Sequence, residues 1–417
     1  MLPLIDFGNQ PTGIIVAGQP TLDPRITFTR ASGRTRINGA GVLESLGNNE
    51  PALDFNPVTL QPRWWLIEGA RTNLALNSAN FANASWVKLD TTGTANSIAS
   101  PDGGVNAAIL TEGVAGTADV VQSVTISAGA TFTVSVFLKQ GNAPFQRIEA
   151  TDVASANGAR VYLNYSTGVL GSVTNFGTGT GGTATVQAYP NGWYRVTVSS
   201  TVAASVVARL RLVSASSDGG GRVNNATYYA WGGQIEQAPF ASSYIPTTGA
   251  AATRAEDVAI VSNYATLGWN ETQGTLVIEA QLTAVGTTNA ALVTISDATS
   301  ANRIQIGLTP AGLLVPRIVN AGTGYNPGVP IAVTPTSVFK AAMAWGIGAN
   351  QGIAAANGNL GSASTPVALP TSTTMTEGLR IGTQNIGLGV VDASLWIRRL
   401  DYYPTRLPNA TIQSLTA

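Results

Sequence analysis

The chain has 417 residues, enough for two or three domains at roughly 100–200 residues each. Its 22 basic and 22 acidic residues balance, so it lacks the electrostatic footprint that nucleic acid or an anionic membrane surface would require. It contains neither histidine nor cysteine, which excludes a Ser-His-Asp triad, a Cys-His pair, a zinc centre of the usual ligands and a disulfide framework.

The opening MLPLIDFGNQPTG has no basic stretch followed by an apolar core, so it does not read as a secretory signal. A soluble protein made without an export signal is expected. Residues 1–69 are irregular, with Pro and Gly throughout and Arg25, Arg30, Arg34 and Arg36 close together. Such a segment becomes ordered by lying on something else, and it reads as an attachment or assembly segment. The stretch WWLIEGARTNLALNSANF, from Trp64 to Phe81, is the densest in the chain. Arg30, Glu68 and Arg71 are expected to form an ion-pair clamp joining the first segment to the first sandwich. Asn73 and Asn77 then serve turn hydrogen bonds.

Residues 70–256 alternate apolar and polar side chains with period two. In TFTVSVFLK, Phe132, Val134, Val136 and Leu138 share one face, as a half-buried strand requires. YRVTVSS repeats this with Tyr194, Val196 and Val198, and VARLRLV with Ala208, Leu210 and Leu212. After the polar, Ala-rich passage around Ala250, residues 257–417 hold a second set, including TLVIEAQL and RIQIGL. The apolar run AAMAWGIGANQGIAAANG from Ala341 is broken by Asn350 and Gln351 and reads as a hairpin rather than a membrane span. GTGTGGTAT from Gly177 lacks the lysine of a phosphate loop and reads as a hairpin loop. Helix is expected only near the end, where Asn409 can cap a short helix carrying Ile412 and Leu415. The fold class is therefore all-β: two antiparallel β-sandwich (jelly-roll) domains in tandem, 70–256 and 257–417, after an irregular N-terminal segment.

The ordered pieces FTRASGRTRINGAGVLE, PALDFNP and WWLIEGARTNLALNSANF, with Trp86 beyond, resemble the opening of modules found in tailed-phage virion proteins. YYAWGGQIEQAPFASSYIPTTGAAATRAEDV, from Tyr228 to Val258, resembles the closing pattern of the same modules. LWIRRLDYYPTRLPNATIQSLT resembles the final strand and helix of concanavalin A-like (laminin-G-like) sandwiches. The resemblance covers nearly the whole chain beyond its first twenty or so residues. It implies a phage structural protein with a carbohydrate-binding-module-like jelly-roll followed by a concanavalin A-like sandwich.

Four aromatic pairs are adjacent in sequence: Trp64–Trp65, Trp193–Tyr194, Tyr228–Tyr229 and Tyr402–Tyr403. Neighbours in a strand point to opposite faces, so one of each pair must leave its own core. Alternation puts Trp193 outward beside Arg195, and puts Tyr228 opposite Tyr229 and Trp231. Outward rings stack on the C–H faces of sugars, and polar neighbours take the hydroxyls. Trp193, Arg195, Tyr228 and Asn191 are thus the candidate carbohydrate-binding residues, set against packing under loops or against a sister subunit.

A glycosidase needs two acids about 5–5.5 Å or 6.5–9.5 Å apart. Glu149, Asp152, Glu236, Glu279, Asp392 and Asp401 are available, but none sits in a recognisable pair, and Glu236 and Asp401 fall on strands of the resemblance. No catalytic residue and no cofactor is assigned. A structural calcium ion at Asp218 or Asp54 stays open, although simple turns explain both better. The expected function is a virion component, of fibre, spike or decoration type, that contacts host surface polysaccharide without cleaving it. Its partners would be other virion proteins and sister subunits, most simply in a trimer that buries rings such as Trp64. A polysaccharide-degrading tailspike and a purely architectural capsid or tail cement protein are the alternatives.

Overall fold

The computed structural model describes residues 3–6 (backbone only), 22–328, 331–382 and 394–417. It is all-β, with four large antiparallel sheets and one short α-helix among these residues. Asp392, one of the candidate acids, lies outside the described residues, as does most of the stretch before Leu22.

The first sandwich packs two sheets face to face. One runs, in spatial order, Gly179–Tyr189, Trp193–Val202, Thr131–Gln140, Thr227–Glu236, Ala107–Glu112 and Thr91–Ile98. The other is built around Gly158–Asn164, Phe145–Thr151, Val207–Ala215 and Asp119–Thr125. The alternating residues expected to face inward do so: Phe132, Val134, Val136, Leu138, Val196, Val198, Leu210 and Leu212 share one core. Trp86 stacks on Phe81 inside it, with ring centroids 3.9 Å apart. Leaving apolar faces in water would forfeit about 25 cal/mol for each Å² they bury here.

The strand Thr227–Glu236 changes phase halfway. Ser135 opposes Gln234 but Phe137 opposes Trp231, so Gly232 and Gly233 form a bulge opposite Val136. Gly232 sits at φ 63°, which favours glycine. The bulge explains why Tyr228, Ala230 and Ile235 all enter the core although 230 and 235 differ by an odd number.

The second sandwich is not made by residues 257–417 alone. Its larger sheet centres on Gln273–Leu282 and Ser394–Tyr403, and the latter strand pairs with Pro62–Glu68, which pairs with Ala52–Phe55. Residues Pro3–Asp6 also pair with Ser394–Tyr403. The opposing sheet takes Thr27–Thr29 at its edge, against Val258–Val261. Leu53, Trp65 and Ile67 insert into the core with Ile278, Ile306 and Leu400. Residues 27–29, 52–55 and 62–68, within the 1–69 stretch expected to be an attachment segment, are therefore woven into the sheets of the C-terminal sandwich. The first sandwich is carried between them as an insertion.

The hairpin of Arg34–Ile37 and Leu43–Leu46 takes another course. Ile37 and Leu43 lie on the outer face of the first sandwich, against Phe137, Tyr189, Trp193, Trp231 and Tyr244. That face is a second core, so Thr131–Gln140 is buried on both sides rather than half-buried. In the second sandwich, Phe339–Gly346 and Ile353–Ala356 form the hairpin predicted from Ala341. Gly177, at φ 58°, turns the chain into Gly179–Tyr189, so most of GTGTGGTAT is strand rather than loop. The helix Asn409–Thr416 forms as predicted and buries Ile412. Its N-cap is Pro408, not Asn409, and the Asn409 Oδ1 accepts from Arg406 Nη2 at 2.6 Å instead. Among the described residues, no helix is long and apolar enough to cross a membrane.

Candidate binding cleft between the sandwiches

Trp193 points away from the core of its own sandwich, as its alternation requires, yet it is only 1 % exposed. The hairpin carrying Ile37 and Leu43 covers it, and its Nε1 donates to the Ala99 carbonyl at 3.0 Å. Tyr228 likewise does not face outward as expected. It does lie opposite Trp231 and Tyr229, but its side is the sandwich core, where it is fully buried. Neither ring can stack on a sugar. Asn191 is exposed at φ 60° in the turn before Trp193. Tyr402 and Tyr403 behave alike, one in the main core and the other under the terminal helix. Trp65 is buried, while Trp64 is half-buried beneath the Arg398 guanidinium, 4.6 Å from its ring centroid. Each ring that leaves its own core meets another part of the same chain.

The clamp exists with changed members. Glu68 pairs with Arg34, Nη2 to Oε2 at 2.6 Å, and with Arg254 at 3.6 Å. Arg34 also reaches Asp257 at 2.6 Å, and Arg30 reaches the other Asp257 oxygen at 3.1 Å. Arg71, expected beside Glu68, lies over the Phe240 ring at 5.1 Å. Arg254, the cross-strand partner of Arg71 in the pairing of Arg71–Asn73 with Ala252–Arg254, is buried and reaches Glu68. Glu68 further accepts from Ser243 N at 3.0 Å, Ser243 Oγ at 2.6 Å and Ser394 Oγ at 2.9 Å. The arginines and these donors outweigh burial and hold its carboxyl far below the usual range. Asn73 and Asn77 do serve the turns: Asn73 Oδ1 accepts from Ala75 N at 3.0 Å, and Asn77 Nδ2 donates to Ser85 Oγ at 3.2 Å.

Arg195 is the one carbohydrate candidate that faces open space beside polar groups. It lines a cleft of about 270 Å³ where the two sandwiches and the N-terminal strands meet. The first sandwich supplies Gln187, Tyr189 and Arg195, residues 52–68 supply Asp54, Arg63 and Glu68, and the second sandwich supplies Trp396. Arg195 lies over the Phe137 ring at 5.5 Å and donates to Ser135 Oγ at 3.0 Å and to the Ser242 carbonyl at 2.9 Å. Arg63 stacks over Trp396 at 5.1 Å and donates to Gln187 Oε1. Asp54 accepts from Ile37 N at 2.8 Å and from Trp396 Nε1 at 3.0 Å. Burial pushes its carboxyl up, and burial also pushes the Tyr189 hydroxyl up to about 12.

Arg63, Tyr189, Gln187 and Trp396 were not singled out from the sequence, and Asp54 was considered only for a calcium ion. Their positions span more than 300 residues of chain, and no local spacing marks them as neighbours. Of the candidate acids, Glu236 accepts from Ser242 N at 3.0 Å and Oγ at 2.7 Å, and Asp401 accepts from Tyr403 OH at 3.3 Å. Glu149 binds Arg211 at 2.9 Å, and Glu279 binds Arg398 at 2.7 Å. Asp152 accepts from Ala156 N at 3.0 Å in its own turn. Among the described residues, no group of three or more acids is gathered for a metal ion. Asp54 spends its oxygens on N–H donors, and Asp218 is exposed in a turn.

No protein-family model matches the chain, and no curated protein matches it. Several solved structures are similar over part of it. The CBM40 of the Ruminococcus gnavus IT-sialidase, bound to alpha2,3 sialyllactose, is 20 % identical with a TM-score of 0.31, covering 36 % of this chain and 84 % of that one. A leech intramolecular trans-sialidase is 16 % identical with a TM-score of 0.28, covering 35 % of this chain and 23 % of that one. The binding domain of botulinum neurotoxin serotype D/C is 13 % identical with a TM-score of 0.29, covering 39 % and 41 %. Likeness this distant identifies no ligand.

Proposed function

We propose that the protein is a non-catalytic tailed-phage virion component, of fibre, spike or decoration type, that contacts host surface glycans in the cleft between its sandwiches. The cleft carries this reading: about 270 Å³ of space is lined by the Tyr189 and Trp396 rings beside arginine, glutamine and serine donors. Sugar recognition asks for that mixture, an apolar wall with a few convergent polar groups. The assignment to a virion rests on the sequence resemblance. So does assembly as a homotrimer with other virion proteins, which light scattering of the purified chain tests.

A hydrolytic reading draws on one observation. Asp54 and Glu68 line the same cleft, and their surroundings push the first carboxyl up and the second down, as in acid–base pairs. Against it, the Glu68 oxygens already hold two arginines and three hydroxyl or amide donors. A carboxylate so engaged has no lone pair to spend on a sugar or a water. Incubation with capsular polysaccharide or lipopolysaccharide separates the readings. Retention of glycan without new reducing ends is the expected result. Reducing ends that disappear in Asp54→Asn would establish hydrolysis, and no retention of any glycan would leave an architectural protein.

A further inference from the structure

We propose that the cleft selects saccharides bearing an anionic group, received by the Arg63 and Arg195 guanidiniums. The inference deepens the glycan-binding reading and rests on it. Its basis is the charge balance of the cleft wall, which holds Arg36, Arg63, Arg195, Asp54 and Glu68. Arg36 is neutralised by Glu44 at 2.6 Å. Glu68 is neutralised from behind by Arg34 and Arg254. Arg63 and Arg195 therefore face Asp54 alone, and one positive charge is left over.

Neither of these two arginines has a carboxylate within ion-pair distance among the described residues. Arg195 spends Nη2 on Ser135 and Ser242, and its buried Nε has no hydrogen-bond partner among the described residues. Arg63 spends Nη2 on Gln187. Asp54 directs its oxygens to Ile37 N and Trp396 Nε1 rather than to either guanidinium.

A guanidinium that lacks a protein acid keeps donors in a rigid fork matched to a carboxylate or phosphate. Both guanidiniums are already oriented, Arg63 by stacking on Trp396 and Arg195 by stacking on Phe137, and Arg195, its Nη2 spent on Ser135 and Ser242, offers an anion its Nη1. Little side-chain freedom remains to be lost when an anion arrives. The cleft is slightly smaller than the roughly 300–1,000 Å³ of common small-molecule sites, so it suits one terminal sugar rather than a length of chain.

Calorimetry or NMR titration with glucuronic acid, glucose 6-phosphate and glucose tests this on the full chain. At least one acidic sugar should bind about tenfold or more tightly than glucose, the scale of one charge-assisted hydrogen bond. Comparing the two acids tells a carboxylate ligand from a phosphate. The preference should vanish in Arg63→Gln and Arg195→Gln, with thermal melts confirming the fold. If Arg195→Gln unfolds, Arg63→Gln decides, since among the described residues the side-chain hydrogen bond it forfeits is to Gln187. Equal binding of glucose, or an acidic preference that survives substitution, overturns the proposal and leaves glycan binding standing. If no sugar binds at millimolar concentration and no host polysaccharide is retained, both fall.

Discussion

Arg34 donates to Glu68 across 2.6 Å, with the two side chains 0 % and 2 % exposed. Arg34 belongs to the hairpin on the first sandwich, while Glu68 ends a strand of the second. Asp257, Arg30 and Arg254 complete a buried group of three cations and two anions. Ser243 and Ser394 bring the closing passage of the first sandwich and the last strand onto the same carboxylate. The relative placement of the two sandwiches converges on that one residue.

Removing one partner of such a group leaves charge buried without compensation. Glu68→Ala and Arg34→Ala should each cost about 3–5 kcal/mol, read by urea or thermal unfolding. Stability of Arg34→Ala equal to that of the wild type would show that the buried group does not depend on this pair.

The same carboxylate sets a pH dependence. Its folded value lies below the ordinary value of 4.5, so the unfolded chain takes up the proton first as pH falls. Its contribution is full above about pH 5 and is lost progressively below that. Asp54 and Glu112 are raised by burial and oppose this, since the folded state takes their protons first. Wild-type melting temperature should therefore fall more steeply between about pH 5 and pH 3 than that of Glu68→Gln. Parallel profiles would remove Glu68 from the acid response.

Trp193→Ala separates a binding role from a structural one. Its ring fills the second core under Ile37 and Leu43, so truncation should cost about 3–5 kcal/mol. Denaturant unfolding measures this. Normal stability with lost glycan binding would return Trp193 to the ligand site.

Gly233 is held by packing. A Cβ there would lie 2.5 Å from Trp86 Cη2 and 2.9 Å from Phe81 Cζ. Those two rings are stacked in the core and cannot both yield. Gly233→Ala should cost about 1–3 kcal/mol by overpacking. A melting temperature equal to wild type would show that the bulge can relax.

Period-two alternation in TFTVSVFLK, YRVTVSS and VARLRLV determined the strands and which side chains share a face. A pleated backbone leaves that choice to local sequence alone. It put Trp193 opposite Tyr194, and Tyr228 opposite Trp231, and the structure keeps both relations. Alternation cannot say whether a face meets water, because that depends on what else packs there. The hairpin of Arg34–Ile37 and Leu43–Leu46, well over a hundred residues away, turned the expected sugar platform at Trp193 into a core. Likewise, the presence of Glu68 among arginines signalled a clamp, but which arginine reaches it was fixed by tertiary packing. Arg254 is buried against Glu68, and Arg71 lies over the Phe240 ring. The cleft itself exists only because Ser394–Tyr403 pairs with Pro62–Glu68 and carries Trp396 to Arg63.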